Sequence, residues 1–272
     1  MLLRIAIVLF TALVASPGWA QANFSSHCIA LSEGQTPPGV QYAALGPALE
    51  PSEVRIHYVG HSTYVLETPG DQTIATDFTG FIGTDILPDI VTMNRAHSSH
   101  YTDYPDPAIK HVLRGWGEAG APAEHFLELG DLIIRNVTTD LRGGGSGRVK
   151  DGNSIFIFEV AGLCIGHLGH LHHEPSEEQF AKIGRLDVLM VPVDGGMTLD
   201  VDTMMKVVKR LRSSIVLPMH WFGDFTLSTF VAGMESEFDV EYPGGNSITL
   251  SLRDLPRKPT IKVLMPRPIR TP

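Results

Sequence analysis

The order of apolar runs along the chain constrains its fold more than any single motif does. Short β-branched and aromatic runs come first, at Val54 to Val59, Ser62 to Glu67 and Gln72 to Ala75, separated by Gly60 and by Pro69 with Gly70. Runs this short with turn residues between them predict an antiparallel meander. After Asp89 the run Ile90 to Met93 ends abruptly in the polar stretch Asn94 to Asp103, which predicts a buried strand feeding a functional loop. Further strands are predicted at Leu132 to Val137, Ser154 to Val160, Leu163 to Ile165, Val188 to Val193 and Ile215 to Met219. Among the later strands the period changes. Ser176 with Gln179 forms a capping-box pattern for a short helix to Ile183. From Asp200 to about Arg212, Met204, Val207, Val208 and Leu211 recur at helical spacing, and Lys209, Arg210 and Arg212 fall where the helix dipole favours cations. Strands first, then strands alternating with helices, predict two packed sheets flanked by helices.

The chain of 272 residues is long enough for one α/β core, expected over 52–272, preceded by a loose segment at 23–51. Residues 1–22 read as a signal peptide: Arg4 is basic, Ile5 to Ala15 are apolar, and Ala20 and Ala22 are small. That apolar stretch is shorter than the roughly 20 residues a spanning helix needs, so a periplasmic or secreted protein without stable membrane insertion is expected after cleavage. A formal charge of −9 repels phosphate backbones and argues against nucleic acid as a partner. The two cysteines, Cys28 and Cys164, leave two readings open in such a compartment: a bridge from the loose segment to the core, or a buried free Cys164 with an unpaired Cys28.

The segment Asp89-Ile-Val-Thr-Met-Asn-Arg-Ala-His-Ser-Ser-His100 resembles the metallo-β-lactamase signature, an aspartate, a strand and then T-H-x-H-x-D-H. Laid on it without a gap, Arg95 takes the first histidine, His97 the second, Ser99 the aspartate and His100 the last histidine. Other segments follow in the family's order: Val59-Gly-His-Ser-Thr-Tyr-Val-Leu-Glu-Thr-Pro-Gly70 with Thr76-Asp-Phe78, then Gly152 to Glu159 with Gly162 to Leu171, then Val191 to Asp200 and Leu217-Pro-Met-His220. These resemble the ascorbate-6-phosphate lactonase-like branch of zinc-dependent hydrolases. The resemblance implies a four-layered αββα sandwich.

It also implies a ligand set. One family metal site falls on Arg95, His97 and a position near Thr139 or Asp140, which leaves it dismantled. The other falls on Ser99, His100, His170 and His220, and keeps three imidazoles. Three histidines with an open fourth position suit zinc, one ion rather than two, with other divalent metals as alternatives. His97 is carried as a supplementary ligand. The run His167-Leu-Gly-His170-Leu-His172-His173 places four histidines in seven residues, with His170 taken as ligand, His173 as a proton-transfer group and His167 as part of a strand. His61 is expected to support the ligands without touching metal, Asp103 to act as general base, and Arg95 to grip an anionic substrate group. The implied function is an exported hydrolase acting on a small-molecule ester, lactone or phosphodiester through a metal-bound hydroxide. The alternative is a non-catalytic metal- or ligand-binding protein on a decayed hydrolase site.

Overall fold

The computed structural model describes residues 26–29, 45–84, 86–118, 121–145 and 147–269. The predicted signal peptide and most of the loose segment after it lie outside the described residues. In chain order the elements begin with β1 (Val54–Gly60), β2 (Thr63–Glu67), β3 (Thr73–Ala75), β4 (Ile90–Met93) and β5 (His111–Arg114). Next come β6 (Phe126–Leu129), β7 (Leu132–Arg142), β8 (Arg148–Val160), β9 (Leu163–His167), α1 (Glu177–Ile183), β10 (Val188–Pro192) and α2 (Val201–Leu211). The chain closes with β11 (Ile215–Met219), α3 (Asp224–Met234), β12 (Asp239–Glu241), β13 (Ser247–Leu250) and β14 (Thr260–Lys262).

Two mixed sheets result. The first has six strands in the order β13-β1-β2-β3-β4-β5, and the second has eight in the order β12-β14-β11-β10-β9-β8-β7-β6. Their inner faces meet through Ile56, Tyr58, Tyr64 and Ile74 on one side and Ile134, Phe156, Phe158, Met190 and Leu217 on the other. Burying each such side chain contributes about 1.5–3 kcal/mol. Side chains alternate along a strand, so Ile155 and Ile157 of β8 face the opposite way and pack in a second core with Met204, Val207 and Val208 of α2 and Phe230 and Met234 of α3. The αββα sandwich implied by the resemblance is therefore present, with one qualification on its outermost layer. Among the described residues, the outer face of the first sheet is covered by loop residues such as Phe78, Ile82, Ile109 and Ile269. The described helices α1, α2 and α3 pack on the second sheet.

Local signals placed α1 and α2 well. Ser176 caps α1 with the reciprocal bonds to Gln179, and Asp200 caps α2 by accepting from the Thr203 N–H. The two readings of the cysteines are resolved: Cys28 and Cys164 form a disulfide across Cα atoms 5.9 Å apart. The short segment it holds is seated further by Ser26 Oγ and the His27 N–H, both donating to Glu159. Glu159 is fully buried and also accepts from Arg135 Nε at 2.7 Å, so the bridge lands beside a neutralised charge.

Pairing directions decide where the functional loops go. β9, β10 and β11 are mutually parallel, as are β3 and β4, while β1, β2 and β3 are antiparallel. The loops leaving β1, β3, β4, β9, β10 and β11 therefore gather at one edge of the sandwich. In α/β sheets that edge is where ligands bind.

Candidate metal centre

Each of those six strand ends delivers a polar side chain. His61 follows β1, Asp77 follows β3, His97 and His100 follow β4, His170 follows β9, Asp194 follows β10 and His220 follows β11. His61, His97, His100 and His220 each place a nitrogen within 4.8 Å of the others. His170 joins them, with its Nε2 3.0 Å from His97 Nε2. The backbone bends sharply to make this possible: His61, Asp77 and His220 have φ values of 52°, 43° and 60°, left-handed conformations that β-branched residues avoid. Strain of this kind persists only where the surroundings enforce it, and it concentrates at functional sites.

Two buried carboxylates orient two of the histidines. Asp77 Oδ2 accepts from His100 Nδ1 at 2.6 Å, and both side chains are fully buried. Asp77 also accepts from the Asn94 side-chain amide at 2.9 Å. Burial alone would raise the Asp77 pKa, but the positive field of His100 and His167 and the hydrogen bonds from His100 and Asn94 hold it well below the usual carboxylate range. Asp194 Oδ2 lies 3.0 Å from His220 Nδ1, off the axis of the ring N–H, so its attraction to that ring is mainly electrostatic. Asp194 is held low in the same way, since its close contact with the His220 ring and hydrogen bonds from Thr198 and backbone N–H groups outweigh its burial.

With its Nδ1 turned to Asp77, His100 presents Nε2 to the cluster, where it faces His220 Nε2 at 3.1 Å. Two imidazole nitrogens at that distance can share one proton or can together meet a cation beside them. The donor set therefore fits a divalent ion, with neutral imidazoles in front and anionic partners behind, the arrangement that fixes ligand tautomers in metal sites. His61 and His170 are neutral well below pH 6. Burial, then repulsion from the neighbouring imidazoles, pushes His61 down to about 3 and His170 down to about 2.

The structure separates the sequence-predicted residues. His97, His100, His170 and His220 come together, and His61, expected behind the ligands, has its nitrogen among them. Ser99 at the signature aspartate's position bridges the cluster internally, its Oγ 2.8 Å from His61 Nε2 and 2.6 Å from His97 Nδ1. Arg95 and Asp103 are solvent-exposed, and among the described residues no contact ties either to the histidines. The charges around His173 are those of Arg148, Asp140 and Arg142, beside the β7–β8 hairpin. His167 belongs to its strand: Nε2 donates to the Ser62 carbonyl and Nδ1 accepts from the Gly169 N–H. Thr139 and Asp140 are likewise engaged elsewhere, with Asn153 and with Arg148 and the Asp151 N–H.

Sequence reasoning did not assign roles to Asp77 and Asp194. Both were visible as acids ending apolar runs, at Thr76-Asp77-Phe78 and Val193-Asp194-Gly195. Their presence also sets the charge of the site, because two carboxylates stand behind the imidazoles. Replacing Asp77 by Asn keeps the size of the side chain but removes the charge that His100 leans on. A 10- to 100-fold loss of metal affinity is the expected result, read by competition with a chromophoric chelator. Unchanged affinity in a folded Asp77→Asn protein would show that Asp77 serves the fold alone.

A sandwich of two mixed sheets with histidines and acids gathered from six strand ends defines a metallohydrolase-type scaffold. The chain belongs to the β-lactamase superfamily: the family described as "Beta-lactamase superfamily domain" matches residues 55–220. It is 24% identical over 196 residues to a metal-dependent hydrolase of Thermoplasma volcanium, covering 62% of this chain and 84% of that protein. A metal-dependent hydrolase of Methanosphaerula palustris is 27% identical over 186 residues, with the same coverage of 62% and 84%. Among solved structures, a Thermotoga maritima protein assigned to the Zn-dependent hydrolases of the metallo-β-lactamase superfamily aligns with a TM-score of 0.55 and 25% identity, covering 78% of this chain and 98% of that one. A metallohydrolase of Ignicoccus hospitalis shares the fold, with a TM-score of 0.52, 18% identity and coverage of 74% and 99%.

Proposed function

We propose that this protein is an exported metal-dependent hydrolase of small-molecule esters, lactones or phosphodiesters, with one zinc ion per chain. The observation that carries the reading is the pair of opposed Nε2 atoms of His100 and His220, 3.1 Å apart, each ring backed by a carboxylate. His100, His220, His61 and His97 would hold the ion, and His170 stands beside them. When bound, a divalent ion supplies Lewis acidity to a carbonyl or phosphoryl group and raises the acidity of water.

The chain's own residues do the rest. Asp77 keeps His100 in the tautomer that offers Nε2, and Asp194 lends its charge to the His220 ring. Ser99, between His61 and His97, has one hydroxyl proton to give and can satisfy only one of the two rings as donor, so it sets which of them donates back. The relatives named above are metal-dependent hydrolases, which supports the reaction class. Zinc is favoured over other divalent ions because the converging donors are imidazole nitrogens with no carboxylate among them.

The test is metal analysis of protein purified from its native compartment, followed by assays on generic ester, lactone and phosphodiester substrates before and after chelation. About one zinc per chain and chelator-sensitive turnover are expected. Stoichiometric metal with no turnover on any class would favour a metal-binding protein instead. Export has its own check: amino-terminal sequencing should find a start between Gln21 and Asn23, and a chain beginning at Met1 would remove the proposal of a periplasmic or secreted location.

A further inference from the structure

Large apolar side chains on a protein surface are unremarkable when scattered and informative when grouped. Among the described residues, five of the exposed ones leave the same strand ends as the metal-site residues: Phe81 after Asp77, Tyr104 after His100, Met197 after Asp194, and Phe222 and Phe225 after His220. Three of these five sit on two adjoining segments, the loop after β10 and the turn into α3. The Phe222 ring lies 5.2 Å from the His220 ring and 5.5 Å from the His61 ring, yet the residue remains 65% exposed. Phe225, in the first turn of α3, is 82% exposed. Met197 sits on the loop that Asp194 gathers by accepting from the N–H groups of Gly196, Met197 and Thr198, and that Arg142 grips through the Gly196 and Thr198 carbonyls. That loop rests on the start of α3, since a side chain at Gly195 would meet Thr226, the residue after Phe225, at 3.2 Å.

An apolar face that begins in ring contact with two metal-site histidines and runs outward over rigidly held loops is placed to receive the part of a substrate attached to the reacting group. We propose that Phe222, Phe225 and Met197 form a hydrocarbon subsite, and that the substrate is an acyl compound, an ester or lactone, carrying an extended alkyl chain. This rests on the hydrolase reading and narrows it from three bond types to one kind of molecule. The continuity of the face with the histidines favours a substrate chain over a second copy of the protein as occupant. The carboxylate-backed site takes the head group, and the three side chains remove the first methylenes from water.

The inference can be tested by binding, without turnover. Zinc-loaded protein is titrated calorimetrically with straight-chain carboxylates from butyrate to decanoate, below their aggregation limits, and its oligomeric state is followed by light scattering. Affinity should rise about two- to fourfold per added methylene over the carbons that reach the face. Phe225→Ser, whose side chain touches no metal-site ring, and Phe222→Ser should flatten that slope while keeping the metal content of the parent protein. An affinity independent of chain length, no binding by zinc-loaded protein, or a slope untouched by both variants would overturn the subsite. So would loss of self-association in the variants with no change in slope, which would assign the face to a second copy. A chain-length slope in a protein that hydrolyses none of the matching esters would leave the subsite standing and sink the hydrolase reading.

Discussion

His220→Ala is expected to bind its metal 10²- to 10³-fold more weakly than the parent protein. The estimate follows from dividing the roughly 10–16 kcal/mol of a four-ligand zinc site among its ligands, which leaves about 3–4 kcal/mol for each. His220 is the more informative of the two opposed rings. His100→Ala would also strand the fully buried Asp77, and an uncompensated buried charge costs about 3–5 kcal/mol of folding stability. Metal per chain should be measured on protein shown by circular dichroism to be folded. His167→Ala is the control: its ring is buried and hydrogen-bonded at both nitrogens, so stability should drop while metal content holds. Full metal in His220→Ala, with loss in His167→Ala, would place the ion elsewhere.

Removal of the Cys28–Cys164 disulfide is expected to have the largest effect on stability. The bridge spans 136 residues of sequence, and closing so long a loop restricts the unfolded chain by about 3–5 kcal/mol in the chain-entropy account. In a protein of this size about 1 kcal/mol moves the midpoint by roughly 2–4 °C. The double variant Cys28→Ala with Cys164→Ala should therefore melt about 6–20 °C lower than the parent, with its bound metal unchanged at room temperature because the bridge lies outside the histidine cluster. A shift under 2 °C would show that the amino-terminal segment contributes little beyond its contact with Glu159.

How much could be read from the sequence varied with the kind of signal. Strands that fill the space between the sheets were legible because continuous apolar runs bounded by Gly or Pro leave few alternatives, as at Ile90 to Met93 and Val188 to Val193. The helix α2 was legible through its cap and its one-sided pattern. The helix α3 was not, because Gly223 provides no capping side chain and apolar residues such as Phe225, Leu227 and Phe230 point both outward and inward. Edge strands such as β6, with alternating exposed and half-buried residues, and the three-residue β12 and β14 carry too little pattern to stand out.

At the site, histidines announced themselves by type and clustering, whereas the acids did not. An aspartate's role depends on which ring it faces, and Asp77 meets a histidine 23 positions away. His61 was placed behind the ligands because its turn resembled a supporting one. Only the left-handed turn of its backbone, which no side-chain pattern encodes, carries its ring in among them.

One oxygen atom on that turn joins the two sheets. The His61 carbonyl accepts both the Tyr58 hydroxyl, from its own sheet, and the His220 N–H, from the other, each at 2.8 Å. The two sheets are thus moored to each other by main-chain chemistry in which the side chain at position 220 takes no part. Side chains at such a mooring are exchangeable fittings on a fixed chassis.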